Sequence, residues 1–228
     1  MRQNIHDNTR RCACALAVTM ALAGAAGAAE SATYTVTVTP LWIPANFPVE
    51  YPEAGILTGP HFSGVIGASH DARYSLFKLG RAPSAGLERL SEEGKHSPLD
   101  DEIKAAVADG RVGMLVESDP NKDLGNAKQT FSVTVDAKHP LVSLAEMIAP
   151  SPDWFAGVAD VNLMEGGKFV AERTIEAMAY DSGGDAGTTY KASDADLVPK
   201  QPTAMASAMH FAKNGKPQAV ARIVFKRN

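Results

Sequence analysis

Residues 33–39 (Thr-Tyr-Thr-Val-Thr-Val-Thr) alternate polar and apolar side chains and are rich in β-branched types. That period of two predicts a strand with one face buried. Residues 130–136 (Thr-Phe-Ser-Val-Thr-Val-Asp) repeat the pattern, and residues 111–118, 141–148, 154–163, 168–180 and 217–226 read as further strands. Residues 62–67 predict a short one. Near the C-terminus, Val220, Arg222, Val224 and Lys226 fall on one face, with Ala219, Ala221, Ile223 and Phe225 on the other. Two segments read as helical. Residues 84–93 place Leu87 and Leu90 three apart, and residues 98–107 open on proline and acids behind Ser97, the expected cap. Residues 41–60, with Pro44, Pro48, Pro52 and Pro60, and residues 186–214 read as loops. Seven or eight strands with a small helical insertion predict an all-β fold, an antiparallel β-sandwich. No internal repeat or second domain is visible.

The N-terminal residues break this pattern. Arg2, Arg10 and Arg11 precede an apolar run at residues 12–23, and Ala26-Gly27-Ala28 supplies a small-residue cleavage site. Residues 1–28 therefore read as a signal peptide and residues 29–228 as one folded domain, secreted or periplasmic. Both cysteines, Cys12 and Cys14, lie inside the signal. The mature domain is expected to lack disulfides and thiolate chemistry, and to rely on its core or on a bound ion. Removing Arg2, Arg10, Arg11 and Asp7 from 22 basic and 26 acidic residues leaves a formal charge of −6. That sign argues against nucleic acid as a partner and disfavours anionic membrane.

Chemistry concentrates in two loops that follow predicted strands. Residues 149–155 (Ala-Pro-Ser-Pro-Asp-Trp-Phe) and 180–187 (Tyr-Asp-Ser-Gly-Gly-Asp-Ala-Gly) offer three carboxylates, Asp153, Asp181 and Asp185. Ca²⁺ takes six to eight oxygens at roughly 2.3–2.6 Å, so three aspartates with loop carbonyls and water would suffice. Gly183 and Gly184 let one loop curl, and Pro150 and Pro152 stiffen the other. The same composition also describes ordinary solvated turns. An EF-hand is excluded, because the twelfth position from Asp181 is Ala192 and not a glutamate. Trp154 and Phe155 are expected to pack beneath the loop, and Trp42 and Phe47 to cover a sheet edge.

Enzyme signals are sparse. Ser69, His70 and Asp71 are sequence neighbours whose side chains diverge, so they make no triad. His61, His70, His139 and His210 lack metal-ligand spacing, and no nucleophile elbow or phosphate loop is present. The expectation is a non-enzymatic protein. The second reading is a periplasmic hydrolase or accessory domain that uses the acidic end as an active-site rim.

Four motifs in order resemble the spondin domain of the F-spondin N-terminal type. The first is His61-Phe-Ser-Gly-Val-Ile-Gly-Ala-Ser-His70 with Tyr74-Ser-Leu-Phe77, Gly86 to Gly94 and Ser97-Pro98. The second runs from His139-Pro-Leu-Val-Ser-Leu through Pro150-Ser-Pro-Asp-Trp154 to Gly157-Val158. The third is Asp181-x-Gly-x-Asp185-x-Gly-x-Thr189-Tyr190, and the fourth Val220-Ala-Arg-Ile-Val224. The resemblance implies a sandwich similar to C2 domains, with Ca²⁺ held at one end by Asp153, Asp181 and Asp185. It also implies work in extracellular adhesion, against an unknown protein or glycan partner at a surface, and membrane docking only where Ca²⁺ bridges to lipid. Two departures stand out. Residues 163–167 hold no cysteine where animal domains do, and Ser182 and Gly184 replace the family's Ala and Thr. A cysteine-free, single-domain, signal-bearing chain resembles a bacterial member of the family.

Overall fold

The computed structural model describes Met1 and residues 30–47, 51–52, 59–118, 127–206 and 210–228. Beyond Met1, the expected signal peptide lies outside the described residues, as does Pro48. In chain order the elements are β1 (Ser31–Pro40), β2 (His61–Phe62), β3 (Ile66–His70), α1 (Ala85–Glu93), α2 (Leu99–Ala108), β4 (Val112–Glu117), β5 (Gln129–Asp136), β6 (Leu141–Ala149) and β7 (Trp154–Asn162). They continue as β8 (Met164–Glu165), β9 (Lys168–Phe169), β10 (Glu172–Asp181), β11 (Ala204–Met205), β12 (Ala212–Lys213), β13 (Lys216–Pro217) and β14 (Ala221–Arg227).

Eight strands form one antiparallel path in the order β4-β3-β6-β7-β10-β14-β1-β5, with β2 added to β6 and β11 to β10. The two layers of the sandwich therefore belong to a single sheet that rolls until its edges, β4 and β5, approach each other. At that seam the Thr134 N–H donates to Met114 Sδ at 3.1 Å. The alternation in β1 is what positions it: Ala32, Tyr34, Val36 and Val38 are all buried between β5 and β14. Val36 stands opposite both Phe131 and Phe225. Tyr34 lies in the core and donates its hydroxyl to Val170 O at 2.7 Å, which anchors the β9–β10 corner.

The helices cover one outer face of the sheet. Leu87, Leu90, Leu99 and Ile103 pack against Ile66, Ala68 and Phe155. Ser84 caps α1 by accepting the Leu87 N–H at 3.1 Å, and Gly94 closes it in the left-handed conformation. The expected Ser97 cap of α2 does not form. The helix begins at Leu99, so Pro98 occupies the cap position and offers no side-chain acceptor. Acidic Asp100, Asp101 and Glu102 favour the start of α2 through the helix dipole instead. Glu102 also reaches to the Ser84 hydroxyl at 2.6 Å and the Gly86 N–H at 2.8 Å, tying the two helices together.

Three predicted strands differ in detail. The strand at residues 62–67 is split into β2 and β3, because the Ser63 hydroxyl accepts the Met147 N–H in place of a regular ladder bond. The strand at residues 168–180 is divided at residues 170–171, because β9 pairs back on β8 across the Gly166–Gly167 turn while β10 pairs with β7 and β14. The last strand starts at Ala221, and Lys216–Pro217 belongs to a separate two-residue hairpin.

Candidate acidic site at one end of the sheet

Strand pairing brings the two acidic loops together. Asp181 pairs with Trp154 and Tyr180 with Phe155 at the ends of β10 and β7. The next residues, Ser182 and Asp153, therefore meet, and the Ser182 N–H donates to Asp153 O at 3.1 Å. The first loop is itself a side-chain-bonded turn. Ser151 Oγ donates to Ile148 O at 2.5 Å and accepts the Trp154 N–H at 3.0 Å, which turns Asp153 inward.

Asp153 is fully buried. Its Oδ2 accepts the Ser182 hydroxyl at 2.9 Å and the N–H groups of Gly183 at 2.9 Å, Gly184 at 2.7 Å and Asp185 at 3.1 Å. Successive backbone N–H groups curled around one oxygen make an anion nest. Gly183 is required for it: φ is +89°, and a Cβ there would sit 2.2 Å from Gln201 O. The loop is backed from outside by Leu197 N–H on Gly184 O and Gln201 N–H on Gly183 O. Asp153 Oδ1 is buried too, yet has no hydrogen-bond partner.

Asp181 Oδ1 shares the Gly183 N–H at 3.0 Å. Burial, and then the negative charge of Asp153, push its carboxyl up to about 6. The Gly183 N–H opposes that shift, as does the Trp154 indole, which faces the carboxyl without completing a hydrogen bond. Asp185 is buried, with Oδ1 on the Gly187 N–H and Oδ2 on the Ala195 N–H, both at 2.5 Å. Among the described residues, none of the three aspartates forms an ion pair.

The fold thus places all three predicted residues at one end. It does not bring their carboxylate oxygens to one point. Among the described residues, the three-carboxylate set whose ligand oxygens lie within 4.8 Å of one another is Glu88, Glu92 and Asp196. Glu88 and Glu92 sit four apart on α1 and share a face. Asp196 joins them because its backbone bridges Asp185. Lys200 pairs with Glu88. Glu92 Oε1 is buried without a partner, and burial, then the charges of Glu88 and Asp196, raise its carboxyl to about 7 against the pull of Lys200. The i, i+4 glutamates were the available sequence signal for this cluster. Asp196 carried none, since a loop bridge alone brings it there.

Beneath the loops lies an aromatic floor. Trp154 and Phe155 are buried, as expected, and Trp154 contacts Tyr190 and Phe211 at 5.4 Å and His210 at 5.0 Å between ring centres. Trp42 and Phe47 are buried in the same cluster, which packs over β6, β7 and β10. The His70 ring meets neither the Ser69 hydroxyl nor the Asp71 carboxylate: Nε2 bonds Ser143 Oγ at 2.7 Å and Nδ1 the Asp71 backbone O at 2.8 Å, while the Asp71 carboxylate takes Arg73. Among the described residues, no helix is long and apolar enough to cross a membrane.

The orphaned Asp153 oxygen, beside aspartates that have backbone donors but no cationic side chain among the described residues, suits a hard cation that accepts oxygen ligands. Residues 32–217 match the family model Spondin_N. Human Spondin-2 (Homo sapiens) is 31% identical over 160 residues, covering 70% of this chain and 47% of its own length. Rat Spondin-2 (Rattus norvegicus) is 28% identical over 196 residues, 82% of this chain and 58% of the relative. Human Spondin-1 is 26% identical over 198 residues, 82% of this chain but 24% of the relative. The chain spans about half the length of the Spondin-2 proteins and about a quarter of Spondin-1. With the family model covering most of its residues and the acidic loops in place, this chain belongs to the Spondin_N family.

Proposed function

We propose that this domain is a secreted or periplasmic binding module, non-enzymatic, whose acidic loop end takes up Ca²⁺ and presents ordered loops to a protein or glycan partner. Asp153, Asp181 and Asp185 would hold the ion, their oxygens drawn together as the two loops order around it. The single observation that carries the metal reading is Asp153 Oδ1, a fully buried carboxylate oxygen with no hydrogen bond, beside two further carboxylates that lack a cationic partner. A bound divalent ion would offset that charge and add to stability by mass action. Membership of the spondin family and the signal-like N-terminus support an extracellular setting. Membrane docking would require the ion to bridge to lipid phosphates, given the domain's negative charge.

Calorimetric titration of the mature domain with Ca²⁺, alongside Asp181→Ala, tests this reading. A binding heat and a raised Tm in the native domain, both lost in the variant, are expected. No heat and no gain in Tm would sink the metal assignment. The hydrolase reading keeps one supporting observation, the raised Glu92 carboxyl in a groove lined by Glu88, Asp194 and Asp196. Glycoside turnover abolished by Glu92→Gln would favour it.

A further inference from the structure

The seam between β4 and β5 is closed by side chains rather than by a backbone ladder, since these strands end the sheet path on opposite sides. Ser118 follows β4, and Gln129 opens β5. Ser118 Oγ donates to Gln129 Oε1 at 2.8 Å and accepts the Val65 N–H at 2.8 Å. The Val65 N–H also reaches Gln129 Oε1 at 3.3 Å, and the Ser118 N–H returns to Val65 O at 2.9 Å. These bonds fix the Gln129 amide in one orientation. Its Nε2 then donates to Ser63 O at 3.1 Å and to Glu146 Oε2 at 2.7 Å. The network spans both edges of the sheet and the segment joining β2 to β3, and it terminates on one carboxyl.

That carboxyl lies in dry surroundings. Glu146 is 4% exposed in the middle of β6. It lines an internal cavity with Val38, Val65, Ala156, Ala177 and Ile223, contributed by β1, the β2–β3 link, β7, β10 and β14. None of these neighbours is ionisable. Among the described residues, the titratable groups that touch the linking segment are His96, between α1 and α2, whose Nε2 contacts Gly64 O at 3.1 Å, and its partner Glu117 on β4; neither bonds Glu146. One neutral amide donor cannot replace the hydration of a carboxylate.

We propose that Glu146 is a proton-operated clasp: the closed β4–β5 seam accommodates it as a neutral acid, and loss of its proton leaves a buried carboxylate that the Gln129 N–H alone cannot solvate, so the seam opens to admit water. Burial raises this carboxyl to about 8, only partly offset by the Gln129 N–H. In the unfolded chain the same group ionises near 4.5. The clasp is therefore fully effective below about 4.5 and is lost as pH rises towards 8, with the folding constant falling about tenfold per pH unit across that window.

Two measurements on the mature domain decide it. In protein labelled with ¹³C-glutamate, the Glu146 side-chain carbon should titrate near 8, and a midpoint in the ordinary range near 4.5 would overturn the clasp. Comparison with Glu146→Gln should show a steeper fall of stability between pH 5 and 8 in the native domain, by about tenfold per pH unit in the folding constant, over the slope that Glu92 and Asp181 leave in both proteins. Amide-exchange protection at Val65 and Ser118, corrected for intrinsic rates, should also fall above pH 8 only in the native domain. Equal pH profiles in the two proteins would likewise overturn it. The carbon titration needs no variant and stands even if Glu146→Gln folds poorly.

Discussion

Asp153 Oδ2 accepts the backbone N–H of Asp185 at 3.1 Å, across thirty-two residues of chain and in company with three other donors from the same loop. One oxygen thus shapes the second acidic loop, and its twin is left unpaired.

Replacing Asp153 with alanine strands the Asp185 N–H and the Ser182 hydroxyl, and leaves the Gly183 N–H with Asp181 Oδ1 and the Gly184 N–H with a 3.3 Å contact to Ser182 Oγ. Breaking charge-assisted hydrogen bonds in a buried setting costs about 3–5 kcal/mol. Chemical denaturation of Asp153→Ala should show a loss of that order, even in the presence of chelator. A loss under 1 kcal/mol would mean that the nest holds its shape without the carboxylate.

Gly183→Ala places a methyl 2.2 Å from Gln201 O at φ +89°. Strain and clash together should destabilise the domain by roughly 2 kcal/mol or more. Gly166→Ala, where φ is +55° and nothing lies within 4 Å, should cost about 1 kcal/mol or less. Paired thermal melts check the ranking.

Glu92 is raised to about 7, so its neutral form outlasts that of the unfolded chain. The stability this gives is present below about 4.5 and is lost as pH climbs to 7. Glu92→Gln should flatten the pH profile over that interval. Lys200→Met removes the charge that pulls Glu92 down, and its carboxyl should titrate higher still by ¹³C NMR.

Much of the fold is legible in residue order. The alternation at residues 33–39 and 130–136 places β1 and β5, and Leu87 with Leu90 marks the packed face of α1. The split at Ser63 is not legible, because it depends on a hydroxyl meeting Met147 from a distant strand. Asp153, Asp181 and Asp185 are readable as a cluster from their loops. That Asp153 spends one oxygen on backbone N–H groups is not, since it follows from the registry of β7 with β10. Asp196 is silent in sequence for a similar reason.

Tyr34→Phe removes a hydroxyl that links β1 to Val170 O and leaves that carbonyl without the bond. A loss of about 1–2 kcal/mol is expected in urea titration. Amide exchange should quicken at the β9–β10 corner more than in β5.

The pairing of β1 with β14 joins the first long strand to the last, in the interior of the sheet rather than at its rim. A polypeptide emerging from the ribosome holds β1 long before the partner that must lie beside it exists. Until residues 221–227 arrive, β1 has one neighbour at most and the barrel cannot shut. Such long-range closure makes folding late and slow. A chain that stays open until residues 221–227 arrive carries unpaired apolar strands through most of its synthesis, the interval in which it is most exposed to misassembly.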